Sequence, residues 1–158
     1  MTTIASICWK VLKVGGWAPL LVFSTHMFID RVLNAYKWWP PVDIPMHISG
    51  GLAIAFCISR CFQTLPRQAA PNGRCAILEL LLTGSLTATA TILWEFAEFS
   101  LDQLKGTNIQ ISLANTMQDL AMGILGAIIV ISIRAAQLRA GTNDLKELVL
   151  DWIQGQGA

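Results

Sequence analysis

Charge is scarce in this sequence. Of its 158 residues 13% are Asp, Glu, Lys or Arg, divided into 10 acidic and 11 basic for a formal net charge of +1. No basic run exists to neutralise a phosphate backbone, which argues against a nucleic-acid partner. Histidine is also rare, and the two residues present, His26 and His47, form neither the HExxH helix of a zinc protease nor the paired Glu-x-x-His segments of a di-iron bundle. Apolar and polar residues do not alternate in ten-residue segments, which removes a membrane β-barrel. No stretch is left over for a soluble catalytic domain.

What the chain does have is 54% hydrophobic residues and a mean hydropathy of +0.54, values of an integral membrane protein. Four apolar runs, at about 14–34, 43–62, 75–104 and 115–138, reach the ~20 residues that carry a helix across the hydrocarbon core. The expected fold is all-α: a single integral membrane domain, 1–158, with four transmembrane helices in a bundle and the lipid bilayer as its first partner. The third run is long enough to tilt or to project beyond the bilayer.

Basic residues set the expected orientation. Lys10, Lys13, Arg60, Arg67, Arg74, Arg134, Arg139 and Lys146 fall on one side, and Arg31, Lys37 and Lys105 on the other. Both termini and the 63–74 connection are therefore expected in the cytoplasm of a bacterium, with the chain in its inner membrane. Cys8, Cys57, Cys61 and Cys75 lie in the cytoplasmic half, where thiols stay reduced, so no disulfide is expected. Cys57 and Cys61, at i and i+4, read as packed small hydrophobes before they read as a soft metal site. No small-residue cleavage site follows the first apolar run, which makes it a retained span preceded by an interfacial lead-in, Met1 to Trp9.

The connection Tyr36 to Pro41 carries Trp38 and Trp39 for the headgroup belt and two prolines that stop a helix. Residues 63–74 are polar and basic, with Pro66, Pro71 and Gly73, as a cytoplasmic turn requires. The third connection, KGTNIQISLA at 105–114, is polar but has no charge beyond Lys105, and is expected to cap a site or to dip into the membrane. After Gly141, Leu145, Leu148, Val149 and Trp152 share one helical face, which predicts a short amphipathic helix at 143–154 on the cytoplasmic surface.

Against this apolar background, ILWEFAEFSLD at 92–102 places Glu95, Glu98 and Asp102 on one helical face. Each ionisable group near the centre of a membrane helix costs roughly 2.5–3.5 kcal/mol on insertion scales, so such groups face protein or a polar cavity. His26 and Asp30 close the first span, Asp43 and His47 open the second at the same i, i+4 spacing, Thr91 lies below Glu95, and Thr116 and Asp119 open the fourth. All of these fall near one membrane face. Gly84 and Ala88, Gly50, and Gly123 and Gly126 form small-residue stripes further down, suited to close helix packing. Below Thr91 and Gly84 the polar stripe is expected to give way to small apolar residues.

Structural readings compete at several positions. Asp43 suits a helix N-cap, Asn115 or Ser112 suits a cap for the fourth helix, and Gly106 suits a helix C-terminus. Asp30 can pair with Arg31 or Lys37, and Asp102 is shallow enough to be solvated. Glu95 is the hardest to explain this way: it is the deepest of the three and has no basic residue at i, i+3 or i+4. An ion pair with His47 or His26 from another helix is its best structural explanation.

The order D-x-P-M-H-x-x-G at Asp43 to Gly50, W-E-x-x-E-x-x-x-D at Trp94 to Asp102, G-T-N at Gly106 to Asn108 and N-T-M-x-D-L-x-x-x-x-x-G at Asn115 to Gly126 resembles the YjdF-type bacterial inner-membrane proteins. A looser likeness in motif order is to the VanZ family, linked to glycopeptide resistance. The YjdF-type resemblance implies the topology and a shared polar site made of Asp43, His47, Glu95, Glu98, Asp102, Thr107, Asn108, Thr116 and Asp119; it implies no reaction. His26 lies outside the motifs.

Three functions fit. The leading expectation is an extracytoplasmic polar site, in an envelope-related protein, that binds a divalent metal ion or a small polar or lipid headgroup, with His47, Glu95, Glu98 and Asp119 as candidate metal ligands. A metal-bound water there would make a membrane enzyme acting on a lipid-linked substrate. The alternatives are a proton-coupled transporter and a noncatalytic membrane assembly module.

Overall fold

The computed structural model describes residues 4–64 and 74–155. The expected turn around Pro66, Arg67, Pro71 and Gly73 lies outside the described residues, as do the side chains of Cys75 and of the tail beyond Gly141. Helix α1, Ile4–Val11, passes through a π-helical turn at Leu12–Gly16 into α2, Trp17–Arg31. The first helical path therefore begins at Ile4, because the apolar lead-in continues the helix instead of lying apart from it.

Asn34, in the left-handed region at φ 49° and ψ 33°, breaks the path and starts the single turn α3, Ala35–Trp38. Asparagine tolerates that conformation better than other side-chain-bearing residues do. A 3-10 turn at Pro40–Val42 leads into α4, Asp43–Gln63. Helix α5, Arg74–Lys105, ends at Gly106, whose φ of +64° and N–H bond to the Asp102 carbonyl at 3.0 Å make it the helix C-terminal glycine. Helix α6, Leu113–Gly155, starts where Ser112 Oγ accepts the Asn115 N–H at 3.1 Å. It runs unbroken through Gly141, so the helix expected as a separate surface element at 143–154 is continuous with the fourth span. A helical glycine costs only about 0.5–1 kcal/mol relative to alanine, too little to end a long helix by itself.

Among the described residues, four helical paths are long and apolar enough to cross a membrane: Ile4–Arg31, Pro40–Gln63, Ala76–Lys105 and Leu113–Gly141. Their exterior is apolar, with Leu81, Phe96 and Leu113 more than 60% exposed, while the buried set includes Ser59, Thr83, Thr87, Thr91, Glu95, Glu98 and Asp119. Large apolar side chains outside and polar ones inside is the reverse of a water-soluble core, and it is the arrangement lipid stabilises.

Helix α4 is the hub, packing on α6 most extensively and then on α5 and α2. It meets α6 backbone to backbone: a Cβ on Gly51 would strike the Gly123 carbonyl, and one on Gly126 would strike the Ile48 carbonyl. A Cβ on Gly123 would in turn meet the Thr91 side chain of α5. Gly84 lies against Ile131 Cδ1, 3.1 Å from where its Cβ would be. The expected role of Gly50 in this packing passes to its neighbour, since nothing lies within 4 Å of a Cβ at Gly50.

The buried face of α5 is also more polar than the sequence suggested. Thr83, Thr87 and Thr91 are 1%, 0% and 8% exposed, and at four-residue steps they continue the line from Glu95 down to Glu79. The stripe does not end at Thr91. Hydroxyls survive in this seam because Thr87 and Thr91 donate to carbonyls of their own helix, Thr83 O at 2.7 Å and Ala88 O at 2.8 Å.

Candidate functional site

The hub helix delivers the centre of the site. Asp43 sits in its first turn and His47 one turn later, and His47 Nε2 lies 3.3 Å from Asp43 Oδ1. The N-cap position falls to Val42, which makes no side-chain capping bond; Asp43 is the first residue of the helix, and its carboxylate faces the imidazole. From α6, Asp119 brings Oδ1 to 3.8 Å from the same Nε2, and from α5, Glu95 brings Oε1 to 3.8 Å from Nδ1. Both ring nitrogens thus face carboxylates, two on one side and one on the other.

Asn115 organises the two-carboxylate side. Its Nδ2 donates to Asp119 Oδ2 at 2.8 Å and reaches Asp43 Oδ2 at 3.3 Å. With both Oδ2 atoms held by one amide, both Oδ1 atoms turn toward His47. Asp119 Oδ1 is buried and has no hydrogen-bond partner. A buried acceptor without a donor costs on the order of 1–3 kcal/mol. Asp43, His47 and Asp119 each offer one ligand atom, all within 4.8 Å of one another.

Glu95 is 4% exposed, and Gln110 Nε2 holds it from the third connection, at 2.9 Å from its carbonyl and 3.2 Å from Oε2. That connection reaches the cluster through Gln110, the first of the two arrangements expected of it. Asp102 anchors it, accepting Thr107 Oγ1 at 2.6 Å, Ile109 N at 2.8 Å and Gln110 N at 2.9 Å. Asp102→Ala is expected to free the connection and speed tryptic cleavage after Lys105 in detergent-solubilised protein. Cleavage at the wild-type rate would show that the clamp does not hold it.

The expected site residues therefore divide. Asp43, His47, Glu95 and Asp119 converge. Glu98, 9% exposed, is engaged by Trp94 Nε1 at 2.7 Å, and stands outside the three-residue ligand group. Asp102, in the last turn of α5, holds Thr107 of the connection, Asn108 is exposed within it, and Thr116 bonds back to Ser112 O at 3.4 Å. Asp30 pairs with Arg31 at 3.1 Å.

His26, left outside the motifs, lies beside the cluster. Its ring packs edge-on against Trp94 at 5.6 Å, and its Nδ1 is 2.7 Å from the Tyr36 hydroxyl. Burial, followed by the nearby Asp43 and Asp30 charges, raises the Tyr36 pKa, so the phenol keeps its proton, and the His26 tautomer sets which of the two groups donates. His26 and His47 share a cavity of about 130 Å³ with Thr91 and Trp94, walled by apolar groups of α2 and α4 such as Phe23 and Met46. Sequence reading assigned only capping to Asn115 and nothing to Gln110 or Tyr36. The i, i+4 spacing of Asn115 and Asp119 was the available signal for the first.

Four membrane-crossing helices closed around a carboxylate–imidazole cluster define an all-α polytopic membrane protein. The chain belongs to the family described as predicted membrane protein (DUF2238), whose sequence model matches residues 11–140. No curated protein and no solved structure matches it. The matched range holds every residue of the cluster and its capping connection.

Proposed function

We propose that this chain is a YjdF-type protein that holds a divalent cation between Asp43, His47 and Asp119 at the extracytoplasmic face of the bacterial inner membrane, where it serves an envelope-related role. The observation that carries this reading is Asp119 Oδ1, buried without a donor and 3.8 Å from His47 Nε2, in a residue that offers a ligand atom within 4.8 Å of those of Asp43 and His47. Three carboxylates surround one imidazole, and among the described residues none of the three has a Lys or Arg partner. A cation satisfies the free oxygen and offsets the like charges together. One imidazole with two carboxylates suits zinc, manganese or iron(II). Glu95 then stands where a metal-bound histidine wants its outer partner, opposite the second ring nitrogen. The cavity beside His26 and Trp94 gives a small polar ligand or lipid headgroup a place next to the ion. The excess of basic residues at the other ends of the spans supports the orientation.

Asn115, which ties α4 to α6 through the two aspartates, favours a second reading in which the cluster only fixes helix packing. Metal analysis separates the two. Protein purified in detergent without chelator is expected to carry close to one zinc, manganese or iron per chain by elemental mass spectrometry. After chelation it should melt at a lower temperature and recover when one of these ions is returned. Metal-free protein whose melting ignores all three ions would leave only the packing role.

A further inference from the structure

The opposite end of the bundle holds a second polar assembly that the site above does not use. Arg134 of α6 reaches Glu79 of α5 through Nε to Oε1 at 2.7 Å and through a terminal nitrogen to Oε2 at 3.3 Å. Ser59 of α4 donates to the same Oε1 at 3.1 Å, Gln63 donates to Ser59, and Arg60 donates to Gln63, each at 3.1 Å. Glu79 and Arg134 are both largely buried, at 11% and 15% side-chain exposure. One carboxylate, a serine and a glutamine thereby hold two arginines in place.

A cavity of about 510 Å³ opens beside this network, lined by Lys13, Arg60 and Arg134 together with Ser59 and Gln63. Among the described residues, Arg134 alone of these three has a carboxylate partner. Among the described residues Arg60 bonds only the neutral Gln63, and Lys13 lies 5.1 Å over the Trp9 ring. Three cations against one anion leave a formal excess of two positive charges on a partly enclosed surface. The π-helical turn contributes to this placement: a Cβ on Gly15 would stand 3.0 Å from Cys57 Cα and 3.3 Å from Arg60 Cβ, so the first helix lies directly on the last turns of α4 and brings Lys13 to the cavity. Wide turns of this kind often occur at functional positions.

The remaining wall is apolar and open to lipid. Trp17 and Ile133 line the cavity and are 51% and 56% exposed, and Trp17 packs edge-on against Phe56 at 5.9 Å. A cationic floor with a lipid-facing apolar rim is complementary to one amphipathic anion. We propose that this cavity binds the phosphate of an anionic phospholipid from the surrounding leaflet, with Lys13 and Arg60 as its charge partners and Arg134 fixed beside them by Glu79. Basic pockets between transmembrane helices at the cytoplasmic side recognise lipid headgroups in this way.

The test is native mass spectrometry of the full chain, titrated with phosphatidylglycerol and, separately, with phosphatidylcholine of the same acyl composition. Phosphatidylglycerol is expected to bind at least tenfold more tightly. The paired change Lys13→Gln with Arg60→Gln should weaken it by roughly 25-fold, a factor of about five for each basic residue, while leaving phosphatidylcholine binding unchanged. Arg134 is spared because its loss would strand Glu79. The pair Arg31→Gln with Lys37→Gln, at the other end of the bundle, should leave binding as in the wild type. Equal affinity for the two lipids, an equal loss in the control pair, or full retention in Lys13→Gln with Arg60→Gln would each overturn the proposal. Displacement of phosphatidylglycerol by millimolar inorganic phosphate would also overturn it, assigning the cavity to a free anion.

Discussion

Gly51→Ala is expected to prevent the bundle from closing, although it adds a single carbon. The new Cβ would strike the Gly123 carbonyl and approach within 2.8 Å of its carbon. Both belong to the backbone of α6, which has no rotamer to change. The helices would have to part along their whole contact, so the loss should exceed the ~1–3 kcal/mol of ordinary overpacking. Gly50→Ala is the matched control. Nothing lies within 4 Å of its Cβ, and replacing a helical glycine by alanine should stabilise by about 0.5–1 kcal/mol. Thermal melts in detergent, followed by tryptophan fluorescence, compare the two. A Gly51→Ala protein that melts with the wild type would show that α4 and α6 do not meet as described.

Asp119→Asn is expected to abolish cation-dependent stabilisation while leaving the metal-free protein as stable as the parent. The change keeps the side chain's shape and its ability to pair with Asn115, but removes the charge from a carboxylate whose Oδ1 is buried without a donor. Loss of an outer partner of a metal ligand typically costs 10–100-fold in affinity, so loss of a ligand should exceed about 100-fold. By linkage, a cation at 100 times its dissociation constant stabilises the parent by about 2.7 kcal/mol, and that increment should vanish in the variant. Asn115→Ala should behave differently. It leaves Asp43 and Asp119 their charges but removes their shared donor, so metal-free stability should fall by about 1–3 kcal/mol, with cation-dependent stabilisation reduced rather than lost. If Asp119→Asn melts higher with added cation by as much as the wild type does, the Asp43–His47–Asp119 assignment is wrong.

The four-helix architecture was legible because apolar runs of membrane length leave few alternatives. The convergence of Asp43, His47, Glu95 and Asp119 was legible for a related reason: each is costly in lipid, and shared topology brings their helix ends together. What escaped the sequence depended on rotation and on side-chain reach. Gly50 and Gly51 are adjacent, and only helix rotation decides which faces α6. Asn115 satisfies a capping rule and a bridging geometry equally well as a string of letters. The threonines at 83, 87 and 91 passed as weakly polar filler, since a single hydroxyl, bonded to its own helix as at Thr87 and Thr91 or without a partner as at Thr83, leaves no strong signal in composition.

That threonine seam has an electrical consequence. Thr87 and Thr91 complete their bonds within α5, the glycine contacts close α4 against α6 beside them, and the middle turns of α4, α5 and α6 carry no charged residue between two oppositely charged ends. Asp43, Glu95, Glu98 and Asp119 gather at one end; Lys13, Arg60 and Arg134 outnumber Glu79 at the other. His47 and Arg60 are about 20 Å apart along α4. With the acidic end outward, as proposed, a membrane potential negative inside favours this arrangement by about 2.3 kcal/mol per elementary charge for each 100 mV. Inverting the folded bundle would forfeit that energy at both ends, so the membrane's own voltage helps keep the molecule the right way up.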